Sequence, residues 1–217
     1  IEDHQSIIYR HKAADLFLNK SDIQIANIEN YECILISGTS LAAEPSRSSV
    51  LYALELAKEN NIPVIMDVDY RPYTWESEKK AKQIYNLAAE KCSGIIGNDD
   101  EFAVLSGNYK NALKYAEKLS SNCDLVIYKM GEKGSITYAN NKKITKGIFP
   151  VKPLKPTGAG DAFMGSLIGA LMKKYDLEKA LEIGSAAAAI VVTKVGCAPA
   201  MPNLEEILEF MRTNTIN

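Results

Sequence analysis

The sequence predicts a doubly wound α/β fold, a mostly parallel sheet with helices on both faces, and three observations predict it. Four short apolar runs are continuous rather than alternating, as strands covered on both faces must be. Segments with 3.6-residue periodicity separate the runs. The connections have the lengths that right-handed crossovers need.

The first expected element is Tyr31 to Ser37 (YECILIS), a buried strand ending at Gly38. From Ser46 to Asn60, Val50, Leu51, Leu54 and Ala57 share one helical face, and Asn60-Asn61 ends the helix. Ile62 to Val68 (IPVIMDV) is the second strand. Glu76 to Cys92 is a helix with Ala81, Ile84, Tyr85 and Ala88 inward, and Gly94 to Gly97 is a short third strand. Asp99 or Asp100 caps a helix through Leu105, and Ala112 to Leu119 forms another. Leu125 to Lys129 is the fourth strand, and Ser135 to Ile148 reads as edge strands in hairpins. Helices are expected over Ala159 to Lys174, Leu177 to Lys194 and Asn203 to Arg212. With no repeat or linker in view, residues 1–217 read as one domain.

Composition narrows the function. Of 217 residues, 47% are hydrophobic and 24% charged, as in an ordinary globular protein. The formal net charge of −2 lacks the basic excess that a nucleic-acid backbone selects, so no nucleic-acid partner is expected. No apolar run reaches membrane-spanning length, so no membrane partner is expected either. Cys33, Cys92, Cys123 and Cys197 show no paired short spacing, which fits buried free thiols in a reducing cytoplasm.

The chemistry concentrates in Pro156-Thr157-Gly158-Ala159-Gly160-Asp161, ahead of a strongly apolar helix. Two glycines permit a tight turn and close approach to a ligand. The helix start adds free N–H groups and a partial positive charge, together a cradle for an anion. Asp161 then has two readings: a helix cap, or a base for a hydroxyl attacking a phosphoryl group.

Other motifs have plain structural readings. Asn98-Asp99-Asp100-Glu101 after a strand is a capping box. Lys129-Met130-Gly131-Glu132-Lys133-Gly134 is a glycine hairpin, and Gly196-Cys197-Ala198 is a helix C-cap. Arg71, in Asp67-Val68-Asp69-Tyr70-Arg71-Pro72, is a planar fork for phosphate or carboxylate, or half of a surface ion pair with Asp67 or Asp69. Lys155 adds positive charge near a phosphate or points to solvent.

Taken in order, these motifs resemble the PfkB/ribokinase family of carbohydrate kinases. The resemblance implies a ribokinase-like fold with ATP and Mg2+ as cofactors. It implies Asp161 as general base, with the amides of Gly158, Ala159 and Gly160 as an anion hole and Arg71 beside the charge. Asn98 and Glu101 then organise magnesium through water, and Lys129, Gly131, Gly134, Thr157, Gly196 and Cys197 border the nucleotide. The D-Y-R-P-Y-x-W run, Leu154-Lys155-Pro156 and Cys197 to Pro202 are similar to a branch acting on the 6-hydroxyl of 5-dehydro-2-deoxygluconate, a sugar acid of myo-inositol breakdown. A 2-keto-3-deoxygluconate kinase, another sugar kinase, or a nucleotide-binding module without catalysis are the alternatives.

Lys155 and Pro156 stand where many members carry an acidic residue and then Thr or Ser. The family's N-terminal part, with its paired glycines and lid, is expected to be missing. Ile1 to Lys20 would then be a remnant next to the lid, with Arg10 and Asp15 near the substrate. A homodimer is expected of the full-length protein.

Overall fold

A computed structural model of the chain describes residue 10 and residues 12–217. The expectations for Ile1 to Lys20 lie outside the described residues at positions 1–9 and 11. Arg10 and Asp15 form an ion pair with each other.

The elements run α1 (Lys20–Ala26), β1 (Ile34–Ser37), α2 (Ser46–Glu59), β2 (Val64–Asp67), α3 (Glu78–Ala89), β3 (Gly94–Asn98), α4 (Asp99–Ser106), α5 (Ala112–Leu119), β4 (Leu125–Lys129), β5 (Ser135–Ala139), β6 (Lys142–Lys146), α6 (Ala159–Met172), α7 (Leu177–Val192) and α8 (Leu204–Thr213). The six strands form one sheet in sequence order. β1 to β4 pair in parallel, and β5 pairs antiparallel to β4. The predicted mostly parallel sheet is therefore present, and the expected hairpin is β5–β6. Among the described residues β1 has β2 as its one sheet neighbour, and its Leu35 is exposed.

Several boundaries differ from the sequence reading: β2, α3 and α6 are shorter by a few residues, and three further differences have a local cause. The first strand starts at Ile34, not Tyr31, because Ile34 is the residue opposite Val64, where β2 begins. α4 is capped by Asn98 rather than Asp99 or Asp100: Asn98 is extended and its side chain accepts from the Glu101 amide. α7 ends at Val192 with Thr193 as its cap, so Gly196 is not the C-cap. The thiols are not uniformly buried: Cys92 and Cys123 are, Cys33 is half-buried and Cys197 is exposed.

The chain divides into two compact units. The larger holds the described residues up to Gly131 together with Ser135–Ile144. Its core runs from Ile36 and Leu54 through Met66, Tyr85, Ile95, Phe102 and Leu105 to Val126. The apolar faces of α2 and α3 and the continuous strand runs meet there, and burial of about 25 cal/mol per Å2 of apolar surface drives them together. The smaller unit holds Glu132–Gly134 and Thr145–Asn217. In it α6 packs along α7, where the Phe163 ring and carbonyl cover Gly184 so closely that an added methyl would sit 2.9 Å from the carbonyl oxygen. No helix among the described residues is long and apolar enough to cross a membrane.

Candidate functional site

In the smaller unit, the glycine turn is held from behind. Val192 O, at the end of α7, accepts from the amides of Leu154 (2.7 Å) and Lys155 (3.1 Å), which fixes the approach to the turn. Lys155 Nζ donates to Thr157 O, so its ammonium folds onto the turn rather than into solvent. Gly158 then takes φ 90°, in the left-handed region that glycine enters without strain, and serves as the N-cap of α6. The Ala159 amide donates to Pro156 O at 3.3 Å. The amides of Gly158 and Gly160 have no partner among the described residues.

Asp161, the third residue of α6, has an exposed side chain that makes no hydrogen bond among the described residues. It does not cap the helix, since α6 has no side-chain cap. The Cys197 loop lies against this turn: a Cβ added at Gly158 would stand 3.4 Å from Met201 Cε and 3.7 Å from Cys197 Sγ. Gly196 is left-handed, with φ 87°. So Cys197 is brought against Gly158, in the turn that also holds Thr157, Ala159, Gly160 and Asp161.

In the larger unit, polar side chains gather at the carboxyl ends of β1 to β4, where parallel sheets present ligand groups. Asn98 Oδ1 accepts from Glu101 N at 2.9 Å, and Glu101 Oε2 accepts from Asn98 N at 2.7 Å. This is the capping box of the plainer reading. Glu101 is nevertheless an unusual capping carboxylate, being only 6% exposed. Burial pushes its pKa up to about 7; Lys129 and the Asn98 amide pull the other way, and Asp67 and Asp69 push it further up. Lys129 ends β4 directly opposite Asn98.

Among the described residues, no three His, Cys, Asp or Glu side chains converge as direct metal ligands. The set nonetheless fits a hydrated magnesium ion. One Glu101 oxygen lies outside the capping box, and the neighbouring carboxylates supply a field that a cation relieves.

The buried carboxyl makes the stability of metal-free protein depend on pH. A carboxyl whose folded pKa is raised binds protons in the native state that the unfolded chain has released. Stability is therefore lost as pH rises from about 4.5 through about 7. Glu101→Gln, measured in EDTA, is expected to gain on the order of 2 kcal/mol over the parent at pH 8 and little at pH 4.5. Urea titrations at the two pH values check it; an equal effect at both would remove burial as the cause.

Arg71 Nη2 meets Asp69 Oδ1 at 2.6 Å, so the ion-pair reading describes its contact here. Gly131 is left-handed and exposed in the larger unit. Gly134 of the smaller unit is also left-handed, and a Cβ there would lie 2.0 Å from Lys146 O. The sequence reading missed Ser37, whose hydroxyl donates to Asp69 Oδ2 at 2.9 Å; no local signal marks a contact spanning 32 positions. A surface cavity of about 530 Å3 beside Ser106, Tyr115 and Lys118 borders none of the predicted residues.

The description "pfkB family carbohydrate kinase" fits residues 2–204. The chain belongs to the pfkB family of carbohydrate kinases. Curated pfkB relatives include the 5-dehydro-2-deoxygluconokinase of Geobacillus kaustophilus (strain HTA426), 41% identical over 214 residues, which are 96% of this chain and 64% of that protein. The enzyme of the same name from Bacillus anthracis is 41% identical over 218 residues, 98% of this chain and 66% of its own. The chain thus spans slightly less than two thirds of the relatives it matches.

Among solved structures, a fructokinase from Vibrio cholerae O395 with fructose, ADP and calcium superposes with a TM-score of 0.80 at 26% identity, covering 91% of this chain and 66% of the other. Ribokinase from Thermotoga maritima gives 0.73 at 28%, covering 92% and 63%. The pfkB fold is therefore the ribokinase-like one that the sequence predicts.

Proposed function

We propose that the chain carries the ATP-dependent phosphorylation of a sugar-acid hydroxyl, the 6-hydroxyl of 5-dehydro-2-deoxygluconate. The observation that carries the reading is Asp161, an exposed carboxylate three residues beyond a left-handed glycine; among the described residues it has no partner, nor do the amides of Gly158 and Gly160. A phosphoryl transfer needs an acceptor for the hydroxyl proton and donors for the charge that builds on the phosphoryl oxygens.

In this reading Asp161 takes the proton, and the open amides with the positive end of α6 receive the charge. Ala159 contributes its amide once it leaves Pro156 O. Asn98 and Glu101 hold magnesium through water, and magnesium supplies neutralisation of the nucleotide's phosphates. Lys129, Gly131, Gly134, Thr157, Gly196 and Cys197 border the nucleotide, and Arg71 takes an anionic group. The names of the curated relatives, at about 41% identity over nearly all of the chain, support the substrate.

A coupled ADP-release assay with 5-dehydro-2-deoxygluconate, 2-keto-3-deoxygluconate, ribose and fructose tests the reading. The 5-dehydro acid is expected to exceed ribose in kcat/KM by at least about tenfold, the discrimination of one well-placed charged contact. Equal rates, or a preference for ribose, would overturn the substrate. Nucleotide binding without turnover is the other outcome of this assay. Calorimetric ATP binding with no ADP release from any of the four sugars is its signature.

A further inference from the structure

The carboxyl ends of β1 and β2 carry a chain of contacts that ends on Arg71. Ser37 Oγ lies 2.7 Å from Thr39 Oγ1 and donates to Asp69 Oδ2 at 2.9 Å. The other oxygen of that carboxylate meets Arg71 Nη2 at 2.6 Å. Asp69 has φ 38°, a left-handed backbone that a non-glycine residue keeps only where its surroundings determine it. An ion pair held by its own attraction is worth about 0–1 kcal/mol and leaves its arginine free to swing. Here the carboxylate is tied from behind and only 23% exposed, while the Arg71 side chain is 42% exposed. The guanidinium has five N–H donors in a rigid plane, and its side chain has no other hydrogen bond or ion pair among the described residues. Most of those donors are therefore left for a ligand.

We propose that Asp69, backed by Ser37, is a positioning residue that presets Arg71 as a fork for a planar anion, the carboxylate of a sugar acid. This rests on the reading under Proposed function, where Arg71 takes an anionic group, and deepens it by assigning how that group is oriented. Paired oxygens of a phosphate present the same chemistry, so the test separates the two sources. Presetting lowers the ordering cost of binding, because the rotamers are fixed before the ligand arrives.

The test uses phenylglyoxal labelling of Arg71, read by mass spectrometry on the intact chain. Asp69→Asn keeps a residue that tolerates left-handed backbone while removing the charge. It is expected to speed labelling at least about threefold; Ser37→Ala is expected to move it the same way by less, and Ser37→Thr to restore the parent rate. An unchanged rate in Asp69→Asn overturns the proposal.

The second arm measures protection of Arg71 by gluconate and by inorganic phosphate. Gluconate is expected to protect the parent at lower concentration than phosphate. Asp69→Asn is expected to need about tenfold more gluconate, equivalent to about 1.4 kcal/mol. Protection by phosphate alone, or at one concentration in both proteins, reduces the pair to a structural contact and overturns the proposal. In turnover, the variant's KM for the sugar acid should rise about tenfold with kcat within twofold, a split that loss of uniform binding produces. If the parent phosphorylates no sugar acid while labelling and gluconate protection shift as expected, the catalytic reading fails and the positioning of Arg71 stands.

Discussion

Asp161→Asn is expected to cut turnover by a factor of about a hundred or more, the scale of losing a positioned base. ATP affinity should stay within about twofold, because Asn has nearly the same shape and the backbone amides of the turn are untouched. The structure bears on this twice. The Asp161 side chain is exposed and makes no bond among the described residues, so its replacement removes no packing and no hydrogen bond. It is also not the cap of α6, since Gly158 occupies that position. A stability loss is thus not expected, and a thermal midpoint within about 2 °C of the parent would show that the fold is intact. Undiminished phosphorylation by the variant would falsify the role of Asp161. A fall in ATP affinity equal to the fall in rate would assign it to binding instead.

Gly38→Ala is expected to destabilise the larger unit by about 3 kcal/mol, the upper range for forcing a methyl into a filled core. Gly38 comes directly after β1, and a Cβ there would stand 2.1 Å from the Val68 carbonyl oxygen and 2.6 Å from the Tyr85 ring. The ring can turn, but the carbonyl cannot. The Val68 amide, one peptide back, is bonded to Ile96 O at 2.9 Å, which ties this residue to β3. Trimming the ring in Gly38→Ala/Tyr85→Ala should therefore not rescue the variant. Urea unfolding measures the effect as a lower midpoint with an unchanged slope. A midpoint equal to the parent's would mean that the β1–β2 ends yield more readily than a closely packed interior does.

Much of the fold was legible because its determinants are local. The runs around Ile36, Met66, Ile95 and Ile127 are apolar on both faces, and a chain can bury such a run only inside a covered parallel sheet. The glycine turn was legible for the same reason: Gly158 needs a left-handed φ, and the sequence supplies a glycine at that position. The features that stayed hidden depend on partners far along the chain. Tyr31 to Cys33 are as strand-prone as Ile34 to Ser37, but β2 has no residues to set against them. Asn98, Asp99 and Asp100 are all good caps, and only the extended backbone at Asn98 selects among them. Gly196 looks like a helix stop, yet α7 closes earlier, where Thr193 Oγ1 bonds back to Ile190 O at 2.7 Å. Ser37 and Asp69 are each unremarkable in sequence and meet only because β1 and β2 lie side by side.

The two rims of the sheet are unlike. β6 carries Lys142 and Lys143, exposed charges that repel another chain seeking to add to it. β1 has no charged residue between Ile34 and Ser37, and Leu35 stands out beside main-chain groups that have no strand to pair with among the described residues. A rim of that kind readily accepts an added strand, whereas the lysine-bearing rim resists one.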